Sequence, residues 1–521
     1  MRSQQEAAVS TGVNWRRLAP IAVIYFIVSN VLSFIRQFIV VLSVLAWSAS
    51  SFDYQQSFWF IPVMVAIFLA TIVSGVVSYW FYQYRIRNEH IEIRSGLFRR
   101  RNINLPFWRI QNVKIEQPFY YRLTHYTVVV LDTAGSSGEE AKIVAVERDY
   151  AQQLRQAVLI SGRQHQAGTT EDKAPETVDT ATSSLADDEK VINRRSLSDL
   201  IIHGLTNNRV WILLGALTPF YDEISGFIYD FVDDLGLSMD ALFADQQVLW
   251  WQVGLYVIST MLLILSVMAM VSVAGSVITY YNYTLTRTSD RYIRRSGLFS
   301  LQEVSMRESR IQMISVRQDW LDYLLKRANF FFEQNKTGDK QEQELHATHK
   351  MLVPSVTLAE AQALATDAMP DNKVYQTGYS RISTRFISRW ILTLALPACA
   401  LVSAMGYARE GWHIFLVTIP AFMLACAGIY LRWRRWGFAC DDTYCYIRKG
   451  MAGIDRYSFA LFKVQQVALT QSVLMQRRGL ANVHFILASG SITIPYLPYA
   501  VATELADKAL WHAESGRRSW M

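Results

Sequence analysis

The tripeptide Arg109-Ile110-Gln111 recurs as Arg310-Ile311-Gln312, and a near copy, Lys463-Val464-Gln465, stands further along. Each sits at a fixed distance from an earlier landmark. Ile93-Arg94-Ser95-Gly96, Arg294-Arg295-Ser296-Gly297 and Ile447-Arg448-Lys449-Gly450 are short basic stretches that end in glycine. Fifteen residues after the glycine comes Gln111, Gln312 or Gln465; twenty-one after it comes Gln117, Gln318 or Gln471. An apolar run ending near Gly135, Gly338 or Gly490 follows, and then a segment of helical character at 149–159, 358–368 or 500–511. Landmarks repeated at constant spacing mark one structural unit used three times.

Within the unit, apolar and polar residues alternate, as in residues 84–96, and such runs bounded by glycine predict β-strands. Glycine after a strand suits a hairpin turn that needs positive φ. Thr357 with Glu360 has the spacing of a capping box at the start of a helix. Several short strands and one closing helix predict a small antiparallel barrel, α+β in content. In the tripeptide, alternation predicts that Ile110, Ile311 and Val464 point into the core. Arg109, Arg310 and Lys463 then face solvent, membrane or a partner. The glutamines are read as structural, satisfying backbone groups at a fixed irregularity.

The chain has 521 residues, 51% of them apolar and 18% charged, with a net charge of +7. That length predicts three or four folded units. The apolar surplus is gathered into long runs. A spanning helix needs about 20 apolar residues. Residues 58–81 and 249–279 carry no charge, 390–407 and 412–430 are two more spans, and 18–35 is another. Arg36, just after that span, is read as reaching the membrane interface. Residues 210–220 are apolar but short and need extension to span. Charge distribution argues for counting them. Residues 221–247 hold seven Asp or Glu and no Lys or Arg, whereas arginines flank the other ends of the spans. Basic residues near spans stay cytoplasmic. Six spans place every basic region on one side, and five do not.

The reading is therefore a multi-pass membrane protein with both termini cytoplasmic. Residues 1–82 hold the N-terminal segment and helices 1–2, and 83–160 the first polar domain. Residues 161–190, poor in apolar and aromatic side chains, form a disordered tether. Residues 191–281 hold helices 3–4 with the acidic external loop, 282–370 the second domain, 371–431 helices 5–6, and 432–521 the third domain.

The order of strand, Ile-Arg-Ser-Gly, Arg-Ile-Gln, second Gln, strand, glycine and helix resembles the bacterial pleckstrin-homology-like domain family, type 2, found in YdbS/YdbT-like multi-span membrane proteins. The resemblance covers all three polar domains and the spans before them. It is strongest in the first copy and loosest in the third, where Arg-Ser-Gly has become Arg-Lys-Gly. It implies a seven-stranded bent barrel with a closing helix in each PH-like domain and a place in the bacterial cytoplasmic (inner) membrane, and it does not imply an activity.

The residues agree on that last point. The chain has no phosphate-cradling glycine loop and no nucleophile elbow. His346 and His349 form a lone HxxH in a charged stretch, read as solvated surface. Cys440 and Cys445 are an isolated pair, and no metal site or cofactor is expected. Arg99, Arg100 and Arg101 form a basic turn close to the membrane, which attraction to anionic headgroups and simple topogenic charge explain equally well. The function predicted is a non-enzymatic membrane scaffold presenting PH-like domains to lipid headgroups, a partner membrane protein or a second copy through open sheet edges. The alternative is a transporter or lipid-handling protein with a pathway among the helices, which calls for polar residues inside the spans. Nucleic acid is not an expected partner, because the basic residues track span ends.

Overall fold

A computed structural model describes residues 15–34, 60–87, 89–96, 100–122, 124–133, 141–167, 189–206, 226, 250–288, 291–334 and 350–515. The chain forms two compact units. One comprises Met1–Leu185, Asn207–Asn282 and Arg295–Val304, and the other Ala186–Thr206, Tyr283–Arg294 and Ser305–Met521.

Each repeat follows one plan. The first has β1 (Arg16–Arg17), β2 (Gln83–Arg87), β3 (His90–Ser95), β4 (Arg101–Pro106), β5 (Ile110–Gln117), β6 (Tyr126–Thr133) and β7 (Ala141–Glu147). The second has β8 (Lys190–Arg194), β9 (Thr284–Thr288), β10 (Arg291–Ser296), β11 (Leu301–Arg307), β12 (Met313–Gln318), β13 (Arg327–Glu333) and β14 (Lys350–Thr357). The third has β15 (Gly437–Cys440), β16 (Tyr444–Lys449), β17 (Ile454–Ala460), β18 (Val464–Thr470), β19 (Leu480–Leu487) and β20 (Gly490–Pro498). A closing helix ends each: Arg148–Ala167, Leu358–Ala368 and Tyr499–Ser515. The second opens with the capping box expected of it: the Thr357 hydroxyl accepts from Glu360 N, and the Glu360 carboxylate accepts from Thr357 N.

Burial follows the pleat. In β13, Ala328, Phe330 and Phe332 share one fully buried face, and Tyr292 stacks on Phe332 with ring centroids 4.8 Å apart. In β6 the run Val128–Val129–Val130–Leu131 is buried on both faces, as a continuous apolar strand requires.

The sheets do not close into barrels. Strands β1 to β4 pair in sequence order, and β18 to β20 form a separate sheet. The first strand of a repeat lies before its apolar helices in the sequence. Arg16 pairs with Tyr84, Lys190 pairs with Arg287, and Ser380 bridges to Phe438. These stretches of one to five residues belong to the folded domains, not to the membrane segments. The expected tether at 161–190 is likewise structured at both ends. The first closing helix continues to Ala167 and β8 begins at Lys190, because Ala151, Leu154 and Val158 bury one helix face and seed further turns.

Among the described residues, three helices are long and apolar enough to cross a membrane: Met261–Tyr280, Arg385–Arg409 and Gly411–Arg435. Ala22–Phe34 and Val65–Trp80 are shorter apolar helices. The expected third span at 210–220 and the acidic loop at 221–247 lie outside the described residues, apart from Gly226. Helix pairs pack through small residues. A Cβ on Gly75 would stand 2.9 Å from Ile27 Cα, and Asn30 Nδ2 donates to Ser74 Oγ at 3.3 Å. Between the last two spans, Cys399 Sγ donates to the Thr418 carbonyl.

Candidate interaction surface

The two repeated glutamines stand in different settings. Gln111 and Gln465 sit in β-bulges, where pairing skips from Ile110 to Asn112 and from Val464 to Gln466. In the second repeat, Gln312 N donates to the Glu333 carbonyl at 2.8 Å. The second glutamine makes the same bond three times, always to the residue nine positions on. Gln117 Nε2 donates to Tyr126 O at 3.3 Å, Gln318 Nε2 to Arg327 O at 2.8 Å, and Gln471 Nε2 to Leu480 O at 2.8 Å. Each bond ties the end of one strand to the start of the next across a short helical turn. The residue just before that next strand has positive φ in all three copies: His125, Lys326 and Gly479.

Sequence reasoning missed a third station. Ala145, Ser355 and Tyr496 also have positive φ, each two residues from the end of the last strand of its repeat. Asn329 Oδ1 accepts from Ser355 N at 3.1 Å and Asn482 Oδ1 from Tyr496 N at 3.0 Å. Two asparagines at equal distance from Gly297 and Gly450 were the available signal, but the first copy has Val128 there. The landmark glycines themselves relieve a close approach: a Cβ on Gly297 would meet Ser300 O at 1.9 Å, and one on Gly450 would meet Gly453 O at 2.1 Å.

The basic residues of the tripeptide do not share one environment. Ile110, Ile311 and Val464 are buried, but the residue before each closes a turn of 3-10 helix (Phe107–Arg109, Glu308–Arg310, Leu461–Lys463) instead of lying on a strand. Its direction is set by that turn, so strand alternation does not predict it. Arg109 is exposed and Arg310 half-buried. Lys463 corrects the expectation of a solvent- or membrane-facing cation. It is buried, and its Nζ donates to the carbonyls of Ser309, at 3.0 Å, and Ile311. Burial pushes its ammonium pKa down to about 8, opposed by the Glu308 carboxylate. Arg100 and Arg101 are exposed, whereas Arg99 lies outside the described residues.

Consecutive repeats are joined by strand pairing. At the first junction Leu301 pairs with Gln117, Gln302 with Glu116 and Glu303 with Ile115. At the second, β12 pairs with β17 from Gln318↔Ile454 through Arg317↔Asp455 and Val316↔Arg456 to Met313↔Phe459. The register is identical when counted from the landmark glycines. The glutamine at position 21 of one repeat faces position 4 of the next, and the ladder runs on from there. Side chains reinforce it. Gln318 Oε1 accepts from Arg456 Nη1 at 2.9 Å. Burial raises the Asp455 pKa, and the Arg317 guanidinium opposes that rise. Gly453 leaves room for the Gln318 carbonyl, which a Cβ there would meet at 1.8 Å.

Metal-binding side chains do not cluster among the described residues: no group of His, Cys, Asp and Glu there is arranged to hold a metal ion, and His346 and His349 lie outside them. Cys440 and Cys445 face each other across β15 and β16 as a disulfide. At the membrane end of the third domain, Arg381 lies over Trp433 at 5.8 Å and Arg432 over Trp390 at 5.2 Å. Basic and aromatic residues of this kind anchor a protein at the headgroup level.

The model of the bacterial PH domain matches three times, over residues 18–159, 243–366 and 391–510. A curated relative, the UPF0699 transmembrane protein YdbT of Bacillus subtilis (strain 168), is 19% identical over 401 residues, covering 75% of this chain and 78% of its own length. No solved structure matches. With three matched stretches that cover most of its length, and with apolar helices long enough to cross a membrane among its described residues, the chain is a transmembrane protein of the bacterial PH domain family.

Proposed function

We propose that the chain is a non-enzymatic scaffold of the bacterial inner membrane. Six helices in three pairs present three PH-like domains on the cytoplasmic side, where they engage anionic headgroups and partner proteins. The observation that carries this reading is the repeated junction. Two successive domain pairs are joined by the same strands in the same register, and a series of binding modules in one chain gains by multivalent contact. The basic-aromatic collar of Arg381, Arg432, Trp390 and Trp433 and the exposed Arg100 and Arg101 support contact with headgroups. The test uses the full chain in nanodiscs of either phosphatidylcholine or phosphatidylglycerol. Trypsin cleavage after Arg100 and Arg101 is expected to be slower in the anionic discs, and equal rates reject headgroup contact. Dithionite-accessible scrambling of a fluorescent lipid in proteoliposomes, above that of empty vesicles, rejects the scaffold in favour of a lipid-handling pathway.

A further inference from the structure

The two junctions inside the chain use four strands, and two strands of the same kind are left over. The junction strand on the leading side of a repeat is the third strand of its first sheet: β11 in the second repeat and β17 in the third. Its counterpart in the first repeat is β4, which among the described residues pairs only with β3. On the trailing side, β5 and β12 serve the first and second repeats. Their counterpart in the third is β18, which among the described residues pairs only with β19.

Exposure reflects this. In β12 five of six residues are buried, whereas in β18 Gln465, Gln466, Leu469 and Thr470 are exposed. In β17 the last four residues are buried, whereas in β4 Arg101, Asn102 and Asn104 are exposed. The tripeptide's basic residue behaves the same way. In the third repeat Lys463 reaches back to the carbonyls of Ser309 and Ile311, which flank the matching residue of the second repeat. Arg109, in the first of the three repeats, is exposed.

We infer that β4 of one molecule pairs with β18 of a second copy of this chain, so that the repeats of successive molecules continue head to tail. The inference deepens the scaffold reading and rests on it. The register follows from the two internal junctions: Gln471 opposite Arg100, Thr470 opposite Arg101, Leu469 opposite Asn102, and Gln466 opposite Leu105. Pro106, which has no amide hydrogen to give, falls just beyond the last rung, where a proline does no harm. Arg109 of one molecule meets the carbonyls of Phe462 and Val464 of the other, as Lys463 meets their counterparts. A free edge is otherwise a hazard that proteins cover or blunt. A contact of this kind is heterologous, so it propagates instead of closing on a two-fold axis.

The test is disulfide trapping in native membranes. Arg101→Cys and Thr470→Cys are placed in separate, differently tagged full-length chains and co-expressed. Arg317→Cys with Asp455→Cys in one chain occupies the same two stations of the internal junction and serves as the control. The expected result is a heterodimer of twice 59.7 kDa that forms only when both variants are present, and a ladder when both substitutions share one chain. Adding Arg109→Ala should lower the trapped fraction about tenfold, as loss of a charge-assisted bond implies. The inference is overturned if the doubly substituted chain cross-links only within itself, or if no dimer forms while the control cross-links. Neither outcome alters the trypsin and lipid-scrambling results, so failure of the pairing is distinguishable from failure of the scaffold reading.

Discussion

Replacing Gln318 with alanine tests whether the second glutamine of the repeat is structural and whether the junction adds to its worth. Gln318 is 3% exposed. Its Nε2 donates to Arg327 O at 2.8 Å and its Oε1 accepts from Arg456 Nη1 at 2.9 Å. A neutral bond of this kind contributes about 1 kcal/mol, and one to a charged group about 1.5–3 kcal/mol. Arg456 keeps its stacking on Tyr375, 4.6 Å away, which recovers part of the loss. The expected cost is therefore about 2–4 kcal/mol. Gln471 makes only the equivalent of the first bond, to Leu480 O, and is itself exposed. Gln471→Ala should cost about 1 kcal/mol. Hydrogen exchange on the full chain in mild detergent reads both, through the opening free energies of amides in β13 and in β19. A gap of about 2 kcal/mol between the variants corresponds to roughly thirty-fold in exchange rate. Equal costs, or a cost below about 0.5 kcal/mol for Gln318→Ala, would refute the argument that the junction loads this residue twice.

Three further outcomes follow from single sites. Ile311→Ala should destabilise the second domain by about 2–5 kcal/mol, since Ile311 is 1% exposed; thermal unfolding of the full chain reads this. Lys326 has φ of 55° where the third repeat has Gly479, so Lys326→Gly should stabilise by up to about 1 kcal/mol in the same assay. At Lys463 the folded pKa of about 8 lies below the ordinary lysine value of 10.5. Between those two values the unfolded chain binds the proton and the folded chain does not, so stability should rise with pH across that window. Lys463→Met should flatten this rise in denaturant titrations; a rise of unchanged slope in that variant would assign it to other groups.

The spacing of Gly96, Gly297 and Gly450 to their glutamines was legible because each landmark serves local backbone geometry, and local geometry is written in nearby residues. Buried Ile110, Ile311 and Val464 were legible for the same reason. The burial of Lys463 was not. It depends on the carbonyls of Ser309 and Ile311, more than 150 residues earlier in the sequence, and a lysine after a strand carries no mark of which repeat it will touch. The junctions were hidden for a related reason. Strand pairing is made by backbone groups that every residue has, so β12 shows in its own sequence only that it is apolar, not that β17 lies beside it. The short strands ahead of the helix pairs, such as Arg16–Arg17, are below the length at which alternation can be seen.

Those short strands also bear on biogenesis. Arg16 emerges from the ribosome long before its partner Tyr84, and Lys190 long before Arg287. Between the first two lie the apolar helices Ala22–Phe34 and Val65–Trp80, and between the second two lies the apolar helix Trp250–Tyr280. A hairpin that inserts fully returns the chain to its starting side and lets the two strands meet. A hairpin that stalls halfway leaves them on opposite sides of the bilayer, and the domain stays incomplete and open to proteases. Where the intervening helices cross the membrane as a pair, the stitch would make completion of a domain a checkpoint on their insertion. Deleting the helix Trp250–Tyr280 should accordingly raise proteolysis of β8 and β9 as well as altering the topology of the membrane segments; intact protection of those strands in such a chain would dismiss the checkpoint.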